Sequence, residues 1–134
     1  MDMTFTFPGG ARVDAQVGPH TVRTDQPPQG GGEGSAPTPF SLFLASIGTC
    51  AGIYVLGFCT QRGLPTEGIS IRQRIAANPV TGMVDKVHLD IQVPPEFPEK
   101  YYDALVRSAS QCAVKKHLEH PPAFEVRTVA TASV

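Results

Sequence analysis

Between Phe40 and Thr60 the chain carries no charged side chain. Apolar residues stand on every side of that run: Phe40, Leu42, Phe43, Leu44, Ile47, Ile53, Tyr54, Val55, Leu56 and Phe58. A helix that is apolar all round lies either at the centre of a protein or in a membrane. At roughly 20 residues this one is long enough to span a bilayer. Ser41, Ser46, Gly48, Thr49 and Gly57 dilute it, however, and no Lys/Arg cluster flanks it. Strands on both sides also need something to cover, so a buried central helix is expected and no membrane. Thr38-Pro39 opens the helix, a hydroxyl N-cap with proline at the first helical position. Gly63 and Pro65 terminate it.

The flanks read as strands. Phe5 and Phe7 alternate with Thr4 and Thr6, and Pro8-Gly9-Gly10 turns the chain. Val13, Ala15 and Val17 alternate with Arg12, Asp14 and Gln16, and Gly18-Pro19 turns it again into His20–Thr24. Asp25–Pro37 is loop. Its Gly30–Gly34 stretch lacks both the Gly-Lys-Ser/Thr of a P-loop and a dinucleotide fingerprint, so a mobile flap is expected. After the helix, Ile69, Ile71 and Ile75 oppose Arg72 and Arg74, Asn78–Gly82 turns, and Val87, Leu89, Ile91 and Val93 alternate with polar residues. The two runs should form a hairpin. Pro98 starts a second helix with a buried stripe of Tyr102, Leu105, Val106, Ala109 and Cys112, running on to Lys115, Lys116 and His117. Phe124, Val126 and Thr128 alternate with Glu125 and Arg127 in a last strand. Segregated elements in this order predict an α+β fold with mainly antiparallel sheet, as a single domain over residues 1–134.

Charge narrows the partners. Lys+Arg 11 against Asp+Glu 12 leaves a net charge of −1, with no footprint for nucleic acid or an anionic membrane. The odd count of 3 cysteines argues against a disulfide framework, and Met1-Asp2-Met3-Thr4 lacks the basic and apolar parts of a leader. An intracellular, cytoplasmic chain is expected.

Chemistry, if present, falls to the cysteines. Cys50 lies among Ala45, Ser46, Gly48, Thr49, Ala51 and Gly52, small residues that let another backbone approach. In apolar surroundings its pKa would rise, leaving it inert unless a cation were brought to it. Cys59 falls on the opposite helix face, about 13 Å along the axis. A disulfide needs Cα atoms within about 7 Å, which excludes that pairing and leaves Cys112 as the intrachain partner of Cys50. Cys112, His117 and His120 are near in sequence but without metal-ligand spacing, and His20 and His88 are scattered. Neither a metal nor a cofactor is expected.

The segment from Thr38-Pro39-Phe40 to Gly48-Thr49-Cys50 resembles the first motif of the OsmC/Ohr family of osmotically inducible and organic-hydroperoxide-resistance proteins. Cys112-Ala113-Val114-Lys115-Lys116-His117-Leu118 resembles the second, a cysteine leading into a short helix. The resemblance implies an intertwined homodimer with antiparallel sheets wrapped around two long central helices, and active sites at the subunit interface. It implies reduction of organic hydroperoxides: Cys50 forms a sulfenic acid, Cys112 condenses with it, and an external dithiol resets the pair. One departure stands out. The family glutamate that follows the motif proline and holds an arginine over the thiolate is Phe40 here. Arg23 is the arginine expected to activate Cys50, with Arg12 behind it, and Asp25 or Glu33 could stand in for the missing carboxylate. The rival expectation is a non-catalytic member that binds a small apolar or electrophilic ligand in the same pocket.

Overall fold

The computed structural model describes residues 1–131. Its elements follow the order β1 (Met3–Gly9), β2 (Arg12–Val17), β3 (His20–Thr24), α1 (Pro39–Gln61), β4 (Ser70–Ala77), β5 (Val84–Gln92), α2 (Tyr102–Ala109) and α3 (Ala113–Glu119). The fold is α+β. The chain divides into two units, Met1–Thr49 with Arg72–Leu89 and Cys50–Ile71 with Asp90–Val134, so that α1 contributes to both.

The first unit holds an antiparallel sheet in the order β1-β2-β3. Turns at Gly9-Gly10 and Gly18 set its register, Phe5 facing Ala15 and Ala15 facing Val22. Next comes the glycine-rich loop, and it is not the open flap that composition suggests. Asp25 is buried, and its carboxylate accepts hydrogen bonds from the N–H groups of Gln26, Glu33 and Ser35 and from the Ser35 hydroxyl. The ends are tied as well: the Asp25 N–H reaches the Pro37 carbonyl at 3.2 Å, and the Gly34 N–H reaches Gln26 at 2.9 Å. Gly32 is there for closeness. A Cβ at that position would lie 2.0 Å from the Gln26 carbonyl oxygen.

Thr38 caps α1 as its sequence predicts, its hydroxyl accepting the Ser41 N–H at 3.1 Å. The buried side of the helix is Ile47, Ala51, Val55, Phe58 and Cys59, an i, i+4 stripe. Phe40, Phe43, Ile53 and Leu56 are exposed on the chain taken alone. β4 and β5 pair as the expected hairpin. Its turn is fixed by Asn78, whose side-chain oxygen accepts the N–H groups of Val80 and Thr81.

The second unit packs Val55, Phe58, Cys59, Phe97 and Leu105 into one core, with Leu64, Ile69, Ile71, Ile91 and Val93 around it. Two expectations fail here. The second helix is broken: α2 stops at Ala109, Ser110–Cys112 turns, and α3 starts at Ala113. Consequently only Leu105 of the expected stripe is deeply buried within the helix, while Tyr102 and Val106 face outward. The last strand is also absent. Residues 120–131 form no regular structure, and Phe124 and Val126 are almost fully exposed. Alternation gives a segment the side chains of a strand, but a strand exists only with a partner ladder.

Candidate active site

Cys50 occupies the middle of α1 and is partly exposed, whereas Cys112 is buried at 3% exposure. The break between α2 and α3 is what joins them. Cys112 has φ −49° and ψ 126°, out of the helical region, and serves as the N-cap of α3. Its carbonyl accepts the Lys116 N–H at 3.1 Å as the first helical bond. The N–H groups of the first turn of a helix have no partner within it. Two of them, on Val114 and Ala113, are directed at the Cys50 sulfur, and the Cys112 thiol adds a third hydrogen bond.

These donors decide the protonation of the pair. The Val114 amide first, then the Cys112 thiol and the Ala113 amide, hold the Cys50 thiol below its ordinary range, against a smaller opposing effect of burial. Burial pushes the Cys112 thiol up, and the neighbouring Cys50 pushes it further. The arrangement thus favours the charged form on the more accessible sulfur and the neutral thiol on its buried neighbour. Cys59 is different. Its thiol is raised by burial among Val55, Phe58, Phe97 and Leu105, and it belongs to the core. All three cysteines are without a disulfide.

The structure sets side by side the two cysteines that sequence reasoning singled out, Cys50 and Cys112. Sequence reasoning expected a cation at Cys50; the groups directed at its sulfur here are two amides and the Cys112 thiol. The signal was present in the motif itself, because a cysteine leading into a short helix brings unpaired N–H groups with it. Arg23 sits on β3 in the first unit, opposite Asp14, and is exposed. With Pro8, Arg12, Asp14, Thr24, Ser35 and Ala36 it lines a cleft of about 400 Å³. Asp25 does not stand in for the missing glutamate, since its carboxylate is taken up by the loop, whose donors hold it to about 2 against the opposing effect of burial. Here the Ser35 hydroxyl and amide are the largest influences. Glu33 is exposed and contributes its backbone N–H to Asp25. Phe40 packs on Phe43, ring centroids 5.6 Å apart.

The family model described as OsmC-like protein matches residues 32–127. No curated protein sequence matches significantly. Among solved structures, the chain is similar to a Psychrobacter arcticus 273-4 protein described by its osmotic stress and detoxification response, at 22% identity and TM-score 0.72, over 85% of each chain. It is also similar to the OsmC like protein of Mycoplasma pneumoniae, at 12% identity and TM-score 0.67, over 90% of this chain and 87% of that one. An organic hydroperoxide resistance protein OsmC from Legionella pneumophila matches at 20% identity and TM-score 0.56, over 87% of each chain. These likenesses concern the fold.

Proposed function

Because this chain belongs to the OsmC-like protein family, we propose that it is a cysteine-based reductant of organic hydroperoxides, acting in the peroxide-stress response with Cys50 as nucleophile. The single observation that carries this reading is the placement of the Cys50 sulfur against the Cys112 thiol and the Val114 and Ala113 amides, which favours the charged form on Cys50 and the neutral form on Cys112. A perturbed pair of this kind is how a site assigns two roles to one chemical group.

In the first step the Cys50 thiolate attacks the outer peroxide oxygen and the O–O bond breaks. Cys50 becomes a sulfenic acid, and the departing alkoxide takes up a proton to leave as an alcohol. Cys112 then attacks the sulfenic sulfur, expelling water and forming the Cys50–Cys112 disulfide. An external dithiol reduces that bond, returning both thiols and leaving as its own disulfide. The break at Ser110–Cys112 suits this sequence, because an N-cap residue is freer to move than one in mid-helix. On the family resemblance alone, Arg23 is assigned the guanidinium that steadies the developing oxyanion. Cytoplasmic residence and an intertwined homodimer belong to the same reading.

The test is consumption of cumene hydroperoxide with dithiothreitol as reductant. The wild-type protein should turn over, Cys50→Ser should be inactive, and Cys112→Ser should react once and stall. Arg23→Ala should slow the peroxide step by about 10- to 1000-fold. A Cys50→Ser protein that consumes peroxide as fast as wild type would sink the proposal. The non-catalytic binder would then be the better reading.

A further inference from the structure

Cys50 lies on α1, and Cys112 follows the end of α2 by three residues. Between these two helices the Ser108 hydroxyl donates to the Tyr54 carbonyl at 3.2 Å. From that bond the sulfur pair stands four residues back along α1, about one turn or ~6 Å, and four residues on beyond Ser108. We propose that Ser108 is a positioning residue for the pair: its hydroxyl pins α2 to α1, and its carbonyl sets the turn that delivers Cys112 and the first amides of α3 to the Cys50 sulfur. The proposal rests on the reading of Cys50 and Cys112 as the reactive pair.

Packing alone leaves the two helices free to slide. Leu105 shares a core with Val55 and Phe58, and such burial is strong but non-directional. The Ser108 bond supplies direction; among the described residues it is the one hydrogen bond from α2 to α1. A mid-helix carbonyl already accepts from its own helix, and its second lone pair is what Ser108 takes. A helical serine commonly faces solvent or bonds back to its own preceding turn. Ser108 instead crosses to α1, and both it and Tyr54 are half-buried. Its backbone completes the connection. The Ser108 carbonyl accepts the Gln111 N–H at 3.0 Å, which fixes the turn one residue before Cys112. Cys112 then leaves helical geometry and caps α3, whose Val114 and Ala113 amides meet the Cys50 sulfur. Reacting atoms lose rate steeply when held even ~1 Å out of place, so a pin this close to the sulfurs acts on their chemistry.

The test compares the intact wild-type protein with Ser108→Ala and Ser108→Thr, of which the threonine keeps the hydroxyl. Two readouts are taken. The first is the pH midpoint of Cys50 alkylation by iodoacetamide, which involves no peroxide. The second is the lifetime of the Cys50 sulfenic acid after one equivalent of cumene hydroperoxide, followed by trapping with dimedone. That acid ends when the Cys112 sulfur attacks it: the S–S bond forms, the S–O bond breaks and water leaves with the Cys112 proton. Ser108→Ala should raise the midpoint and lengthen the lifetime about three- to tenfold, the scale of one net hydrogen bond. Ser108→Thr should restore both toward the wild type. A Ser108→Ala protein that melts earlier yet keeps the wild-type midpoint and lifetime would show a merely structural serine and overturn the proposal. So would a threonine variant that behaves as the alanine one does. A wild-type protein that forms no sulfenic acid removes the peroxidase reading, and the alkylation midpoints then decide this proposal alone.

Discussion

At the scale of single residues, the proposed chemistry depends on where two backbone N–H groups point. A thiolate stabilised by hydrogen bonds titrates low, and one buried beside another thiol titrates high. Alkylation of Cys50 with iodoacetamide should therefore show a midpoint below the ~8.5 of a free thiol. Cys112→Ala should raise that midpoint by removing one of the three donors, and Cys112→Ser should restore part of it. A midpoint unchanged by both substitutions would mean that Cys112 does not touch the thiolate. Asp25 makes a separate prediction for stability. Its carboxylate is held at about 2 in the fold, below the ordinary range near 3.9. A depressed carboxylate contributes fully above its unfolded value and loses that contribution as pH falls through the folded one. Acid unfolding followed from pH ~4 to ~2 should thus steepen in the wild type, and Asp25→Asn should lack that component. The sequence offered Asp25 as an arginine holder; nothing in a linear reading distinguishes a carboxylate facing a guanidinium from one saturated by its own loop.

At the scale of elements, the regular parts were legible and the irregular ones carry the candidate site. α1 was readable because an uncharged run is bounded by a Thr-Pro cap and a glycine, and Thr38→Ala should cost about 1 kcal/mol in chemical denaturation. β2, β3 and the Asn78 hairpin were readable by period-2 alternation and turn residues. The break between α2 and α3 was not, because Ser110-Gln111-Cys112 contains neither glycine nor proline. It shows instead in hydrogen bonds: the Ser110 hydroxyl bonds back to the Val106 carbonyl at 2.8 Å, and the Gln111 N–H tightens to Ser108. Such side-chain bonds compete with helix continuation. The glycine-rich loop was misread because glycine serves freedom in one context and close approach in another. Gly32→Ala separates the two readings, since a Cβ set against the Gln26 carbonyl should destabilise the fold by about 2 kcal/mol or more. A neutral result would return the loop to the status of a flap.

At the scale of the whole molecule, α1 is the one helix among the described residues long and apolar enough to cross a membrane, yet the OsmC-like fold is that of a soluble domain. Ile53 and Leu56 on α1, and Phe124 and Val126 in the tail, are apolar residues that one chain leaves exposed. A second copy is the proposed cover, so sedimentation at micromolar concentration should show a dimer, and a folded monomer would contradict this. On that proposal the alternation at Phe124–Thr128 would find its ladder in the assembly; in the single chain the segment is unpaired. The central claim is the division of labour between two sulfurs, and peptide mapping after stoichiometric cumene hydroperoxide tests it most directly. The account predicts a Cys50–Cys112 disulfide with Cys59 still a thiol; a disulfide that contains Cys59, or oxidation that spares Cys50, would contradict it.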